Sequence, residues 1–157
     1  MVFAPALAWL QSTRIATTIG HSNLLTGFIS AIHLLGLTLI AGAALVSSLR
    51  LLGVVFPERP VPDITGAARR GIALGLAVSV GSGLLLFAPR AATVFDNGFF
   101  QLKMLLLTAA VVFHWTLYRN VTGRADAGPF LLRLTGTLGL TLWFGVALAG
   151  CAFILLE

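Results

Sequence analysis

LLTGFISAIHLLGLTLIAGAALVSSL, residues 24–49, runs for 26 positions without a formal charge. As a helix rising about 1.5 Å per residue it would measure about 39 Å. Crossing roughly 30 Å of hydrocarbon takes about 20 apolar residues, so this stretch can span a bilayer with tilt. Three further stretches follow. Residues 71–89 hold no charge in 19 positions, residues 104–118 none in 15, and residues 134–156 none in 23. Phe99 and Phe100 extend the third past Lys103, whose long side chain can snorkel toward the headgroups. Backbone polar groups within lipid must be satisfied inside helices. The expected fold is therefore all-α, an integral membrane antiparallel four-helix bundle. It forms a single domain over residues 1–157, with spans at about 24–49, 71–89, 99–119 and 134–156.

Composition agrees. Hydrophobic residues make up 58% of the chain and charged residues 10%, and mean hydropathy is +1.00. A soluble domain this small cannot cover so much apolar surface with so few charges. A soluble enzyme, a disordered tail and a disulfide scaffold are excluded. The net charge of +5 reflects scarce acids, and the ten basic residues are scattered, so no nucleic-acid partner is expected. The single Cys151 has no partner for an intrachain disulfide.

The N-terminal segment lacks the basic start of a cleaved signal, and no cleavage is expected. Residues 2–20 read as a short amphipathic helix at the interface. Leu7, Leu10, Ile15 and Ile19 lie roughly on one side, with Gln11 and Arg14 off it. The segment between the first two spans, residues 51–70, contains Pro57, Pro60 and Pro62 and is expected to be extended and polar. Orientation follows the basic residues. Arg50, Arg59, Arg69, Arg70, Arg119, Arg124 and Arg133 fall on one face, against Arg14, Arg90 and Lys103 on the other. The expected location is a bacterial inner membrane, with both termini periplasmic. Trp9, Trp115, Trp143 and Tyr118 are interfacial-type aromatics, and Trp115, Tyr118 and Arg119 read as an inner-face anchor.

Glycines recur at helical spacing: Gly36 and Gly42, then Gly71, Gly75, Gly81 and Gly83, then Gly136, Gly139, Gly145 and Gly150. They suit close helix packing, and could also open room for a flat cofactor. The polar inventory inside the spans is short, and no Asp or Glu lies within them. That counts against a proton-coupled transporter and a hydrolase, and no catalytic set is assigned. No zinc-ligand cluster is present either. Copper would prefer methionine and cysteine clusters, and the chain offers only Met1, Met104 and Cys151.

Histidine remains, and imidazole is a common axial ligand of haem iron. His33 lies about 14 Å from the outer end of its span, and His114 about 21 Å deep in a span of the same direction. The mismatch is about 7 Å, or about 18 Å if Arg50 and Arg119 are aligned at the inner face. One haem held by both residues is therefore strained. Two arrangements avoid this. His33 and its copy could ligate one haem across a two-fold dimer. Otherwise His33 holds a five-coordinate haem, with Lys103 neutralising a propionate and His114 a ligand at a second site. Lys103, Leu107, Ala110 and His114 share a helix face, and Met104 lies beside it. The competing reading is that His33 and His114 are neutral, hydrogen-bond a serine or a backbone carbonyl, and hold nothing. His21 reads as a solvated interfacial residue, about 18 Å along the chain from His33 and too far to share a metal.

Several short motifs stand out: Ile32-His33-Leu34-Leu35-Gly36-Leu37, Leu49-Arg50-Leu51-Leu52-Gly53, Gly83-Leu84-Leu85-Leu86-Phe87, and Asn97-Gly98-Phe99-Phe100-Gln101-Leu102-Lys103. Together they resemble a bacterial family of small four-span inner-membrane proteins of unknown function, with an HLLG…LRLLG…GLLLF…NxxFxxK pattern. Where that pattern carries an acid before Leu-Arg, this chain has Ser48. The resemblance implies the four-span fold and singles out His33, Arg50 and Lys103. The bundle is more loosely similar to CopD-type and cytochrome b-type four-helix membrane proteins. The expected function is a haem b-binding electron-transfer protein, or the membrane subunit of a redox complex. His33, His114 and Lys103 would bind the cofactor, with His33 and His114 as iron ligands. The alternative is a cofactor-free accessory subunit that docks a partner through glycine-rich helix faces. Expected partners are the lipid bilayer and either a second copy or a redox subunit.

Overall fold

The computed structural model describes residues 4–124 and 126–155, and no strand occurs among them. Residues 1–3 of the N-terminal segment and Leu156 of the fourth span lie outside the described residues.

The N-terminal segment is two helices, α1 (Ala4–Ser12) and α2 (Arg14–Gly20), rather than one. Thr13 causes the break. Its backbone is extended and its hydroxyl accepts the Ala16 N–H, an N-cap that starts a new helix. The inward face shifts accordingly. Ala16 and Ile19 are buried, whereas Ile15 points out. Gln11 donates to the Pro89 carbonyl at 3.2 Å, tying the segment to the turn that ends the second span.

Helix α3 (Asn23–Leu51) starts at a Ser22 cap that accepts the Leu25 N–H. Its end explains the LRLLG motif. Gly53 takes φ +80°, which a side chain would resist, and its N–H bonds the Arg50 carbonyl. The Val54 N–H bonds the Leu49 carbonyl at 2.9 Å, closing a Schellman stop. The Arg50 guanidinium then donates to the carbonyls of Arg59 and Pro57, folding the following loop back.

That loop is shorter than expected. Helix α4 (Val61–Phe87) begins well before residue 71. Pro62 sits in its first turn, where a missing N–H costs nothing, and Asp63 complements the helix dipole there. Arg69 and Arg70 consequently ride on a helix. A 3-10 turn (Ala88–Arg90) and the short α5 (Ala91–Phe95) lead to α6 (Gly98–Phe113). The third span continues through a π-helical turn (His114–Tyr118) into α7 (Arg119–Thr122). Helix α8 (Pro129–Leu155) is the fourth. Among the described residues, four helical segments are long and apolar enough to cross a membrane.

Helix α3 packs most extensively on α4, then α6 on α8 and α3 on α8, whereas α4 approaches the third span chiefly at α7. Residue numbers rise on one helix of each close pair and fall on the other. Gly36 lies against Gly75 and Ser79, and Ala43 against Gly71. Gly136 lies against Leu51, Gly145 against Leu106 and Gly150 against Lys103. The core is Ile40, Ala44, Ile72, Ala110, Trp143 and Val146. Trp143 thus belongs to the core and not to an interface. Leu34, Leu35, Leu74, Leu84, Leu105 and Leu148 face outward, each more than half exposed.

Candidate functional site

Two places bring a histidine of the long apolar helices together with other polar side chains. The first lies toward the N-terminal end. His33 Nδ1 is 3.0 Å from the Ser82 hydroxyl. Ser82 Oγ donates to the Val78 carbonyl at 2.6 Å, so it meets the ring as an acceptor. A ring proton on Nδ1 would complete this bond and leave Nε2 its lone pair. Gly83 presents no side chain to the ring. A Cβ there would stand 3.2 Å from His33 Cε1. The Lys103 ammonium is within Coulombic reach of the ring, and its side chain lies along Gly150 on α8.

Local sequence builds this place. Asn97 caps α6 by accepting the N–H groups of Phe99 and Phe100. Phe100 stacks on Phe87 at 5.4 Å and meets Phe153 at 5.9 Å, pinning three helices together one turn before Lys103. The HLLG, GLLLF and NxxFxxK motifs are thus parts of one packing unit. Arg50 is remote from it and holds the α3–α4 loop. Met104, Cys151 and His21 are exposed.

The second place lies at the arginine-rich end. His114 is 2% exposed, and its ring stacks on Tyr118 at 4.7 Å across the π turn. Trp115 and Trp143 meet it edge-on at 5.2 and 6.4 Å. Its Nε2 is buried without a hydrogen-bond partner. Such orphans are uncommon, and π turns recur at functional positions. The Tyr118 hydroxyl lies near Ser47, whose own hydroxyl donates to Ala44, and makes no hydrogen bond. Tyr118 is buried, so it is no interfacial anchor. An open cavity of ≈ 220 Å³ lies here, with Arg69 of α4 and Arg119 of α7 among its walls beside His114 and Tyr118.

The two histidines lie in different surroundings. His33 contacts Ser82 and Gly83 near Lys103, whereas His114 lies among Tyr118, Trp115 and Trp143 with Arg69 in Coulombic reach. Lys103 goes with His33, not with His114. Among the described residues no three His, Cys, Asp or Glu side chains gather into a metal-binding group. The cavity was missed from sequence. Its signal was His114-Trp115-Thr116-Leu117-Tyr118-Arg119, which puts an imidazole, a phenol and a guanidinium at helical spacing but also reads as a membrane anchor.

No curated protein and no solved structure matches the chain, and no CopD or cytochrome b relation is shown. One family does match, over residues 8–155, covering all four long helices to their last described residue, and the chain belongs to it: the Family of unknown function (DUF6644).

Proposed function

We propose that the chain is an antiparallel four-helix bundle inserted in the bacterial inner membrane, binding haem b for electron transfer. The arginine-rich loops face the cytoplasm and the termini the periplasm. The observation that supports the cofactor is the state of His33. A ligating histidine donates its second ring N–H to an outer partner, which fixes ring and tautomer. Ser82 would play that part, with Gly83 against the Nδ1–Cε1 edge of the ring and Lys103 nearby. Bound haem would supply one-electron chemistry. His33 would hold the iron, Lys103 would neutralise a propionate, and Gly83 would leave the ring uncrowded. His114 would serve only a separate site.

The test is the absorption spectrum of detergent-purified protein made with ample haem. A Soret band is expected, with visible bands that sharpen on reduction and disappear in His33→Ala. Colourless, iron-free protein ends this reading.

A second reading has its own support. The Ser82 bond also satisfies His33 with no ligand at all, as in a cofactor-free accessory subunit. Gly36 and Gly75 pack against each other inside the chain, so substitutions there report on folding. Gly42 and Gly81 face open space and are the glycines through which a partner could dock. Gly42→Leu and Gly81→Leu are expected to disrupt co-purification of a partner while His33→Ala leaves it intact. Equal tolerance of all three removes this reading.

A further inference from the structure

We propose that the cavity between α4 and the π turn binds a phosphate oxyanion. Unpartnered polar side chains line this cavity. His114 Nε2 is buried and unpartnered although its residue lines the cavity. Arg69 approaches from α4 and Arg119 from α7, and among the described residues neither guanidinium forms an ion pair or hydrogen bond. The two wall threonines use their hydroxyl protons within their own helices. Thr65 donates to the Val61 carbonyl and Thr122 to the Tyr118 carbonyl, each at 2.9 Å. Among the described residues no carboxylate lines the cavity. The walls therefore present two cations with an imidazole beside them and call for an anionic, acceptor-only ligand. Phosphate fits that description, and arginine forks suit its oxygens. The ≈ 220 Å³ volume admits the group with part of its carrier. The carrier could be an anionic phospholipid, since the cavity opens at the end of the spans, or phosphate free in solution. The binding chemistry is the same.

Trp115 and Trp143 flank His114, so tryptophan fluorescence reports on the site. Detergent-purified protein is titrated with inorganic phosphate. In parallel, protein in phosphatidylcholine nanodiscs is compared with protein in nanodiscs containing phosphatidylglycerol. A saturable change with phosphate assigns the free anion, and a change only with phosphatidylglycerol assigns the headgroup. Either supports the site if Arg69→Gln and Arg119→Gln each weaken binding about tenfold or more while Arg70→Gln, outside the cavity, does not. His114→Gln gives a further check through the imidazole. Absence of any saturable change, or an equal loss in Arg70→Gln, overturns the proposal. None of these variants touches His33, so the absorption test stands apart.

Discussion

His33 and His114 are both imidazoles within candidate spans, yet their surroundings are opposites. His33 sits on the tightest seam of the molecule, between α3 and α4, and its ring is held by a serine whose proton already has an acceptor. His114 borders the loosest seam, between α4 and the third span, and keeps a buried nitrogen with no partner. A histidine in an apolar helix is thus not one kind of feature. Where the neighbouring helix approaches closely it can supply a partner. Where the neighbour stands off, the ring borders a cavity instead.

The sharpest way to test that contrast is to fill each seam. A Cβ on Gly75 would meet the Gly36 carbonyl at 2.8 Å and Ile40 Cγ1 at 2.7 Å, and backbone cannot yield. Gly75→Leu is expected to abolish folded, monodisperse protein in size-exclusion chromatography. Gly66 lines the cavity and has nothing within 4 Å of a Cβ. Gly66→Leu should fold normally and block the phosphate response. Next in size is the cofactor contrast. His33→Ala should remove the Soret absorbance entirely and His114→Ala should leave it. Loss in both would mean that the two rings cooperate after all.

Smaller effects have opposite signs. His114→Phe replaces an unsatisfied buried polar atom with carbon, and should raise ligand-free thermal stability in detergent by about 1 kcal/mol. His33→Phe deletes a made hydrogen bond and should lower stability by a similar amount, about 1 kcal/mol. Matching signs would show that burial, not pairing, separates the two. Smallest, Gly66→Ala adds helix propensity in open space and should stabilise by about 0.5–1 kcal/mol.

The spans were legible because 26 uncharged residues in a row leave few soluble alternatives. Boundaries were less so. Pro62 reads as a breaker until the helix is seen to start around it, and Thr13 reads as one more polar residue in an amphipathic stretch until its cap divides the helix. The motif residues were legible as a set but not as a mechanism of packing. That Phe87 meets Phe100 depends on which helices become neighbours. The cavity was hidden for the same reason. Arg69 and Arg119 are 50 positions apart, and only an α4 that begins at Val61 carries the first to the second.

The π turn acts as a phase shifter. An α-helix advances about 100° per residue, so one additional residue accommodated within a turn redirects every later side chain by a comparable angle. Downstream of Tyr118 this leaves Val121 and Thr122 facing inward and Arg119 on the cavity wall. Deleting Leu117 would restore the ordinary winding, keep the chain's charge and nearly all its mass, and aim a different residue at the opening. The chemistry of that mouth is therefore written in residue count as much as in residue type.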